Sequence, residues 1–281
     1  MTASYTPGVR VVALLAVRNE ELYLARCLDH LLANGVEVHV IDNQSQDATL
    51  DIAQEYARRR TVTVESFPFT GVYPWEGLLR RKEQLAAELD ADWFIHHDAD
   101  EIRQAPPGWP TLAEGIAQVD AEGYNAINFA EMVFTPTNSD ESFEGCDYVA
   151  RMRHYYYFCP RPLHRVNAWK KTSVPVDLAS TGGHTVQFPH RRIYPVDFVL
   201  RHYVFLSWRH LQSKYGTRRY DPSELAKGWH GQRAAFDPTG VRFPPRDRFK
   251  TLQEDGTFDV SEPWTRHFFL TTATPRTVND R

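Results

Sequence analysis

One run that is apolar at every position, Val11-Val12-Ala13-Leu14-Leu15-Ala16-Val17, limits the choice of fold more than any other feature of the chain. Continuous rather than alternating apolar character belongs to a strand covered on both faces. The run ends at Arg18-Asn19-Glu20, where Asn19 has the chemistry of a helix N-cap and Glu20 and Glu21 suit a first helical turn. Leu24, Cys27, Leu28, Leu31 and Leu32 then follow helical spacing until Asn34-Gly35 stops it. The pattern recurs. A second strand, Val36 to Ile41, closes on Asp42-Asn43-Gln44-Ser45-Gln46-Asp47 and leads to a helix from about Ala48 to Arg60. A third strand covers Thr61 to Glu65, an aromatic loop covers Phe67 to Trp75, and a helix to about Asp90 precedes a strand ending at Asp98. Strands alternating with helices predict an α/β fold: a mostly parallel, twisted sheet with helices on both faces. Ligands of such sheets bind at the carboxyl ends of the strands, where Asn19, Asp42 and Asp98 fall.

The character changes after about Pro106. A helix is predicted for Thr111 to Glu122, a strand for Asn125 to Phe134, then mixed or antiparallel extended segments and a helix near Ser207 to Arg219. Phe236 to Arg248 reads as a surface loop, and the tail after Thr271 as frayed. The chain therefore divides at residues 1–105 and 106–281, two halves of one domain.

Composition narrows the function. With 281 residues, 42% of them hydrophobic, the chain holds a large core, and a net charge of −4 gives no basic footprint for a nucleic-acid partner. The Arg58-Arg59-Arg60 cluster reads as a solvated helix end. Cys27, Cys146 and Cys159 lack metal-ligand spacing and are odd in number, which fits a reducing compartment, with Cys27 in the core. Met1 to Arg10 has no leader pattern and no run of 18 apolar residues occurs, so a cytoplasmic location is expected, with peripheral membrane contact left open.

The segment Trp93-Phe94-Ile95-His96-His97-Asp98-Ala99-Asp100-Glu101 ends an apolar strand on carboxylates. Asp98 and Asp100 share one side of an extended chain, where their charges repel unless a cation lies between them. Mg2+ or Mn2+ is held by one or two carboxylates and completes its shell with water and substrate phosphates, which predicts a nucleotide-phosphate substrate.

Together, the ends Arg18-Asn19-Glu20, Asp42-Asn43-Gln44-Ser45-Gln46-Asp47-Ala48-Thr49 and Asp98-Ala99-Asp100-Glu101 resemble family 2 glycosyltransferases, well over residues 11 to 105 and more loosely to about residue 220. Asn43 stands where that family commonly has a second Asp. The resemblance implies a GT-A (Rossmann-like) fold with an acceptor-side C-terminal extension. It also implies metal-dependent, inverting sugar transfer from a nucleotide diphosphate sugar, of UDP or GDP type, to a hydroxyl of a glycan, lipid-linked or small-molecule acceptor. Gly182-Gly183-His184, then Leu200-Arg201-His202-Tyr203 and a helix carrying Lys214, is similar to one subgroup of that family.

From that resemblance, Val17, Arg18, Asn19 and Asp42 hold the nucleoside, Asp98 contacts ribose or metal, and Asp100 binds metal directly. His202, with His184 as second choice, joins the metal. Arg81, Lys214 and Arg218 are candidates for the diphosphate, and Glu101 for orienting its neighbours. For Asp42 the alternative is capping of the next turn. Glu131, the carboxylate in the apolar strand after the metal motif, is the candidate base, its pKa expected to be raised by burial; an acid among Asp140, Glu141 and Glu144 is the alternative. The aromatic loop 67–75 and Tyr155-Tyr156-Tyr157-Phe158 are placed either on a sugar ring or in the core. Two rival functions are a nucleotidyltransferase, whose usual glycine-rich basic loop is missing after the first strand, and a degenerate binding module.

Overall fold

The computed structural model describes residues 8–59 and 61–270; the expected frayed tail, Arg60 and the first seven residues lie outside the described residues. Its strands are β1 (Val11–Val17), β2 (Val36–Asp42), β3 (Val62–Ser66), β4 (Trp93–His97), β5 (Glu101–Gln104), β6 (Ala126–Phe134), β7 (His154–Phe158), β8 (Val166–Lys170), β9 (Phe198–Tyr203) and β10 (Lys250–Thr251). Its helices are α1 (Leu24–Ala33), α2 (Thr49–Arg59), α3 (Trp75–Glu88), α4 (Leu112–Ala121), α5 (Tyr148–Arg151), α6 (Trp208–Gly216), α7 (Pro222–Ala226) and α8 (Gly231–Ala234).

All but one of the β1 residues are buried, as the unbroken apolar run requires, and β1 pairs in parallel with both β2 and β4 while β2 pairs in parallel with β3. The predicted α/β class holds, with a parallel block made from the first half of the chain. Beyond β4 the sheet turns mixed: β8 runs antiparallel to β4 and β6, and β6 lies between β7 (antiparallel) and β9 (parallel). β5 pairs antiparallel with β9, setting Glu101 opposite His202. That ladder ties the acidic turn after β4 to a segment a hundred residues later. Helix α1 buries Leu24, Cys27, Leu28 and Leu31 against the sheet, and all three cysteines are free, with Cys27 in the core as expected.

The N-cap assigned to Asn19 is corrected. Helix α1 starts at Leu24 behind Tyr23, with no side-chain cap and no acidic residue in its first turn. Asn19 instead adopts φ 55°, a left-handed conformation that asparagine tolerates, and its Oδ1 accepts a hydrogen bond from the Gln46 N–H at 2.8 Å. Its short amide side chain thereby ties the turn after β1 to the turn after β2. The C-terminal segment also carries more helix than sequence spacing suggested: α6 ends at Gly216, not Arg219, and α7 and α8 follow it as separate short turns. Asp221 caps α7 and Pro222 opens it, an N-terminal signal passed over inside a polar stretch. No helix among the described residues is long and apolar enough to cross a membrane.

Candidate active site

The carboxyl ends of β1 and β4, the glycine turn 181–184, α6 and the α7–α8 segment enclose a cavity of about 690 Å3. A second cavity of about 500 Å3 adjoins it, sharing Arg18, Glu20, Tyr73, Lys214 and Arg218, and extends over the turns after β1 and β2.

A chain of polar contacts runs along the larger cavity. Lys214 Nζ lies 2.6 Å from Asp100 Oδ2, and that oxygen is 3.4 Å from His202 Nε2. His202 Nδ1 is 2.6 Å from Glu131 Oε1, and Glu131 accepts from Arg165 Nε and a terminal guanidinium nitrogen at 2.7 and 2.9 Å. The second terminal nitrogen of Arg165 is 3.4 Å from His184 Nδ1. Charges therefore alternate across the β4, β6, β8 and β9 ends. Burial lowers the basicity of His202, but its two carboxylate neighbours overcome this and raise its pKa to about 10. Burial by itself would raise Asp100; Lys214 and His202 instead hold its carboxyl well below the usual range.

Glu131 departs from its expected chemistry. Burial would push its pKa up, yet the Arg165 guanidinium, with His164 and His202, holds it well below the ordinary value. Only 1% of its surface is exposed, and it does not line the cavity. A strongly ion-paired, enclosed carboxylate is a poor acceptor of a hydroxyl proton. The alternative acids do not line the cavity either: Glu141 binds the Thr137 N–H and hydroxyl, Glu144 takes the Ser207 hydroxyl, and Asp140 is exposed. The carboxylates that do open onto the cavity are Glu20, Asp98 and Asp100. Burial raises the Glu20 pKa to about 7.

The other expected residues divide by geometry. Val17, Arg18, Asp98, Asp100, His184, His202, Lys214 and Arg218 line the larger cavity, and Asn19 the smaller. The Arg18 guanidinium lies 3.3 Å from the Phe69 ring centre, a cation–π contact across the mouth of the smaller cavity. Asp42, 1% exposed, spends its carboxylate on the Ser45 N–H and lines neither cavity, so it caps its own turn. Arg81 also lines neither: it faces out from α3 to Glu65 at 2.8 Å and Glu88 at 3.0 Å. Tyr155 and Tyr156 are core residues, whereas Phe158, Tyr73 and Trp75 reach the cavity wall.

Sequence reasoning missed Lys82. It is fully buried on α3, with Nζ 2.9 Å from His96 Nδ1, 3.1 Å from the His97 carbonyl oxygen and 3.9 Å from Asp98 Oδ1. Burial lowers its pKa to about 8, against the pull of Asp98 and Glu101. The signal was present: Lys82 is four residues after Leu78 and three before Leu85, on the apolar face of α3. Arg165 and His164 carried no comparable signal. Gly183 explains its own motif: at φ +82° a Cβ would come within 3.1 Å of Leu79, Trp75 and His96, while its carbonyl accepts from Asn167 at 2.9 Å, which seats His184.

Residues 13–109, about a third of the chain, match the model for glycosyl transferase family 2. Over 96 residues the chain is 28% identical to the lipopolysaccharide core biosynthesis glycosyltransferase LpsC of Rhizobium meliloti (strain 1021), covering 34% of this chain and 33% of that protein. Over 99 residues it is 31% identical to EpsH of Bacillus subtilis (strain 168), covering 33% and 28%. Among solved structures, S. aureus TarS 1-349 aligns with 74% of this chain and 63% of its own at 11% identity and a TM-score of 0.46. The match is thus to family 2 glycosyltransferases over this one segment, and the chain spans about a third of the length of the curated relatives it matches.

Proposed function

We propose that the protein transfers a sugar, with inversion, from a nucleotide diphosphate sugar to an acceptor hydroxyl, residues 1–105 forming the nucleotide-sugar-binding half and 106–281 the acceptor-binding half, which also supplies cations to the diphosphate. The observation that carries this reading is the end of β4, where Asp98 and Asp100 open onto a large cavity faced by Lys214, Arg218 and His202. The family 2 match over the same segment supports it.

Donor binding falls to the smaller cavity, where Arg18 and Asn19 flank the nucleoside, with Val17 beside Arg18 on the wall of the larger cavity. Lys214 and Arg218, which line both cavities, then meet the diphosphate. Their charges offset the negative charge that grows on the leaving group as the glycosidic bond breaks. Lys214 is held for this by Asp100 and by the Val204 carbonyl oxygen at 3.1 Å.

The donor set for Mn2+ or Mg2+ is small. Asp100 Oδ2 and His202 Nε2, 3.4 Å apart, are close enough to share one cation, and Asp98 stands beside them. No group of three or more His, Cys, Asp or Glu in metal-holding geometry occurs among the described residues. Two or three protein donors fit a cation that brings water and diphosphate oxygens of its own. When bound, it would add Lewis-acid stabilisation of the leaving diphosphate.

Inversion needs a proton acceptor near the incoming hydroxyl, and Glu131 is poorly suited to that task. Its ion pairs give it another: fixing Arg165 and His202 in register beneath the cavity.

The test is a panel of UDP, GDP, TDP and CDP sugars incubated with the protein and Mn2+. Nucleoside diphosphate release coupled to sugar transfer is the expected result. Conversion of a nucleotide sugar and added inorganic pyrophosphate to a nucleoside triphosphate and a sugar 1-phosphate would identify a nucleotidyltransferase instead, and tight nucleotide binding without turnover a binding module.

A further inference from the structure

Arg103, on β5, is fully buried and lines neither cavity, although residues it binds form part of the wall of the larger one. Glu101 and Arg103, two residues apart on an extended strand, share a face, while Ile102 between them joins the core. A terminal nitrogen of Arg103 donates to Glu101 Oε2 at 2.6 Å and to the His96 carbonyl oxygen at 3.1 Å, and Arg103 Nε donates to His97 Nδ1 at 3.0 Å. Glu101 Oε2 in turn accepts the Asp98 N–H at 3.2 Å, and the Asp98 carbonyl oxygen accepts the Glu101 N–H at 3.2 Å. The turn that presents Asp98 and Asp100 is thus closed from both ends, and Arg103 holds the carboxylate that closes it. The same terminal nitrogen lies 3.4 Å from Asn167 Oδ1. Asn167 is also fully buried, one residue past the last β4–β8 pair, Ile95 with Ala168, and its amide donates to the carbonyl oxygens of Gly183 and His184 at 2.9 and 3.3 Å. One guanidinium therefore stands between the acidic turn and the glycine turn, both of which line the larger cavity.

Stability alone does not account for this arrangement. Two well-packed apolar side chains hold a core at least as well as a buried ion pair does. Arg103 moreover leaves its second terminal nitrogen without a hydrogen-bond partner, its guanidinium lying 4.4 Å from the Phe129 ring centre. What a guanidinium supplies and apolar packing does not is direction: a rigid planar fork fixes acceptors on different chain segments at set angles.

Resting on the glycosyl-transfer reading, we propose that Arg103 is a positioning residue for the donor: through Glu101 it sets the Asp98–Asp100 turn, and through Asn167 the Gly183–His184 turn, so that both turns meet the cation and diphosphate from fixed places. Arg103 itself touches neither. Asp100 has a further fixed point in its own carbonyl oxygen, which accepts the Tyr203 N–H at 2.8 Å. The bracket thus acts on the Asp98 end of the acidic turn, where the closing hydrogen bonds lie, and on the carbonyls of the glycine turn.

The test compares the full chain with Arg103→Lys and Asn167→Ala by amide hydrogen exchange and by UDP titration with Mn2+ or with EDTA. Arg103→Lys keeps a charge opposite Glu101 but brings one nitrogen where the fork brings two, so it cannot hold Glu101, His97 and the His96 carbonyl together. Exchange at the Asp98 and Glu101 amides should quicken by at least roughly tenfold more than exchange in β1 and β2. The Mn2+-dependent part of UDP affinity should fall by roughly tenfold or more, while UDP affinity in EDTA stays within about twofold. Asn167→Ala should quicken exchange at Gly183 and His184 selectively and lower the same Mn2+-dependent part, and it decides the matter if Arg103→Lys does not fold. A common rise in exchange across all strands, with the Mn2+-dependent affinity unchanged, overturns the proposal, since Arg103 would then only stabilise the core. Unchanged exchange at both turns overturns it as well. Wild-type protein that binds no UDP in Mn2+ would instead remove the nucleotide-sugar reading, and the exchange comparison alone would then uphold or overturn the bracket between the two turns.

Discussion

Lys214 and Asp100, 114 residues apart in sequence, meet at 2.6 Å, so an ammonium on α6 occupies one face of the carboxylate at the end of β4. A metal cation seeking Asp100 Oδ2 must share that oxygen or displace the ammonium from it. Lys214→Met should therefore bind Mn2+ more tightly than wild type in the absence of nucleotide, while sugar transfer falls by roughly a hundredfold or more. Asp100→Asn should lose both Mn2+ binding and transfer and keep its fold. Calorimetric titration with Mn2+ alone decides the matter: a Lys214→Met protein whose Mn2+ affinity is unchanged would show that the two cations do not compete.

Glu131→Gln separates an anchor from a base. Removing the carboxylate leaves Arg165 buried and unpaired, a loss of about 3–5 kcal/mol, visible as a fall in Tm of roughly 10 °C. Combining it with Arg165→Met should recover much of that Tm. A Glu131→Gln protein that melts like wild type yet no longer transfers sugar would return Glu131 to the role of proton acceptor.

Neighbouring residues on α3 should differ sharply. Arg81→Gln loses exposed ion pairs to Glu65 and Glu88, worth about 0–1 kcal/mol, and transfer should stay within a few-fold of wild type. Lys82→Met removes the ammonium beneath Asp98 together with its hydrogen bonds to His96 and the His97 carbonyl. It should depress transfer by at least tenfold, with a smaller change in UDP affinity. Equal effects of the two substitutions would count against an inward role for Lys82.

Acid should destabilise the fold through its buried imidazoles. Burial holds the pKa of His210 and of His267 at about 3, and His210 Nδ1 accepts the Leu206 N–H, which needs the unprotonated ring. Between the unfolded value near 6.5 and the folded one, the unfolded chain binds more protons, so stability is present above that window and lost as pH falls through it. Each ring should contribute on the order of 1–2 kcal/mol of loss by pH 5. Urea unfolding at pH 7.5 and pH 5 checks this, and His267→Phe, which keeps the stack on Phe158, should narrow the difference between the two.

The parallel half of the fold was legible because each of its strands announces itself over a short window: β1 by unbroken apolar character, β4 by apolar residues stopping at acids. Asp98 and Asp100 needed no information beyond that window. The partners of Asp100 did. His202 reaches it through the β5–β9 pairing, a long-range register that local spacing does not encode, and Arg165 meets Glu131 only because β8 and β6 lie side by side. Glu131 shows the cost of missing such a partner: burial alone predicts a raised pKa, and one guanidinium from another strand reverses it. Lys82 and Arg81 show the opposite case, where helical phase alone would have chosen between them.

The β5–β9 ladder has a practical corollary for redesign. It fixes Glu101 against His202 by main-chain hydrogen bonding, so the spacing of the two ends of the site is set by backbone register and not by the sequence threaded between them. Surface turns within residues 105–197 can then be lengthened, trimmed or exchanged for those of another chain, provided β6 and β8 keep their places in the sheet. Grafts there should alter which molecules approach the mouth while leaving the paired ends in position, making this stretch a cassette for retargeting.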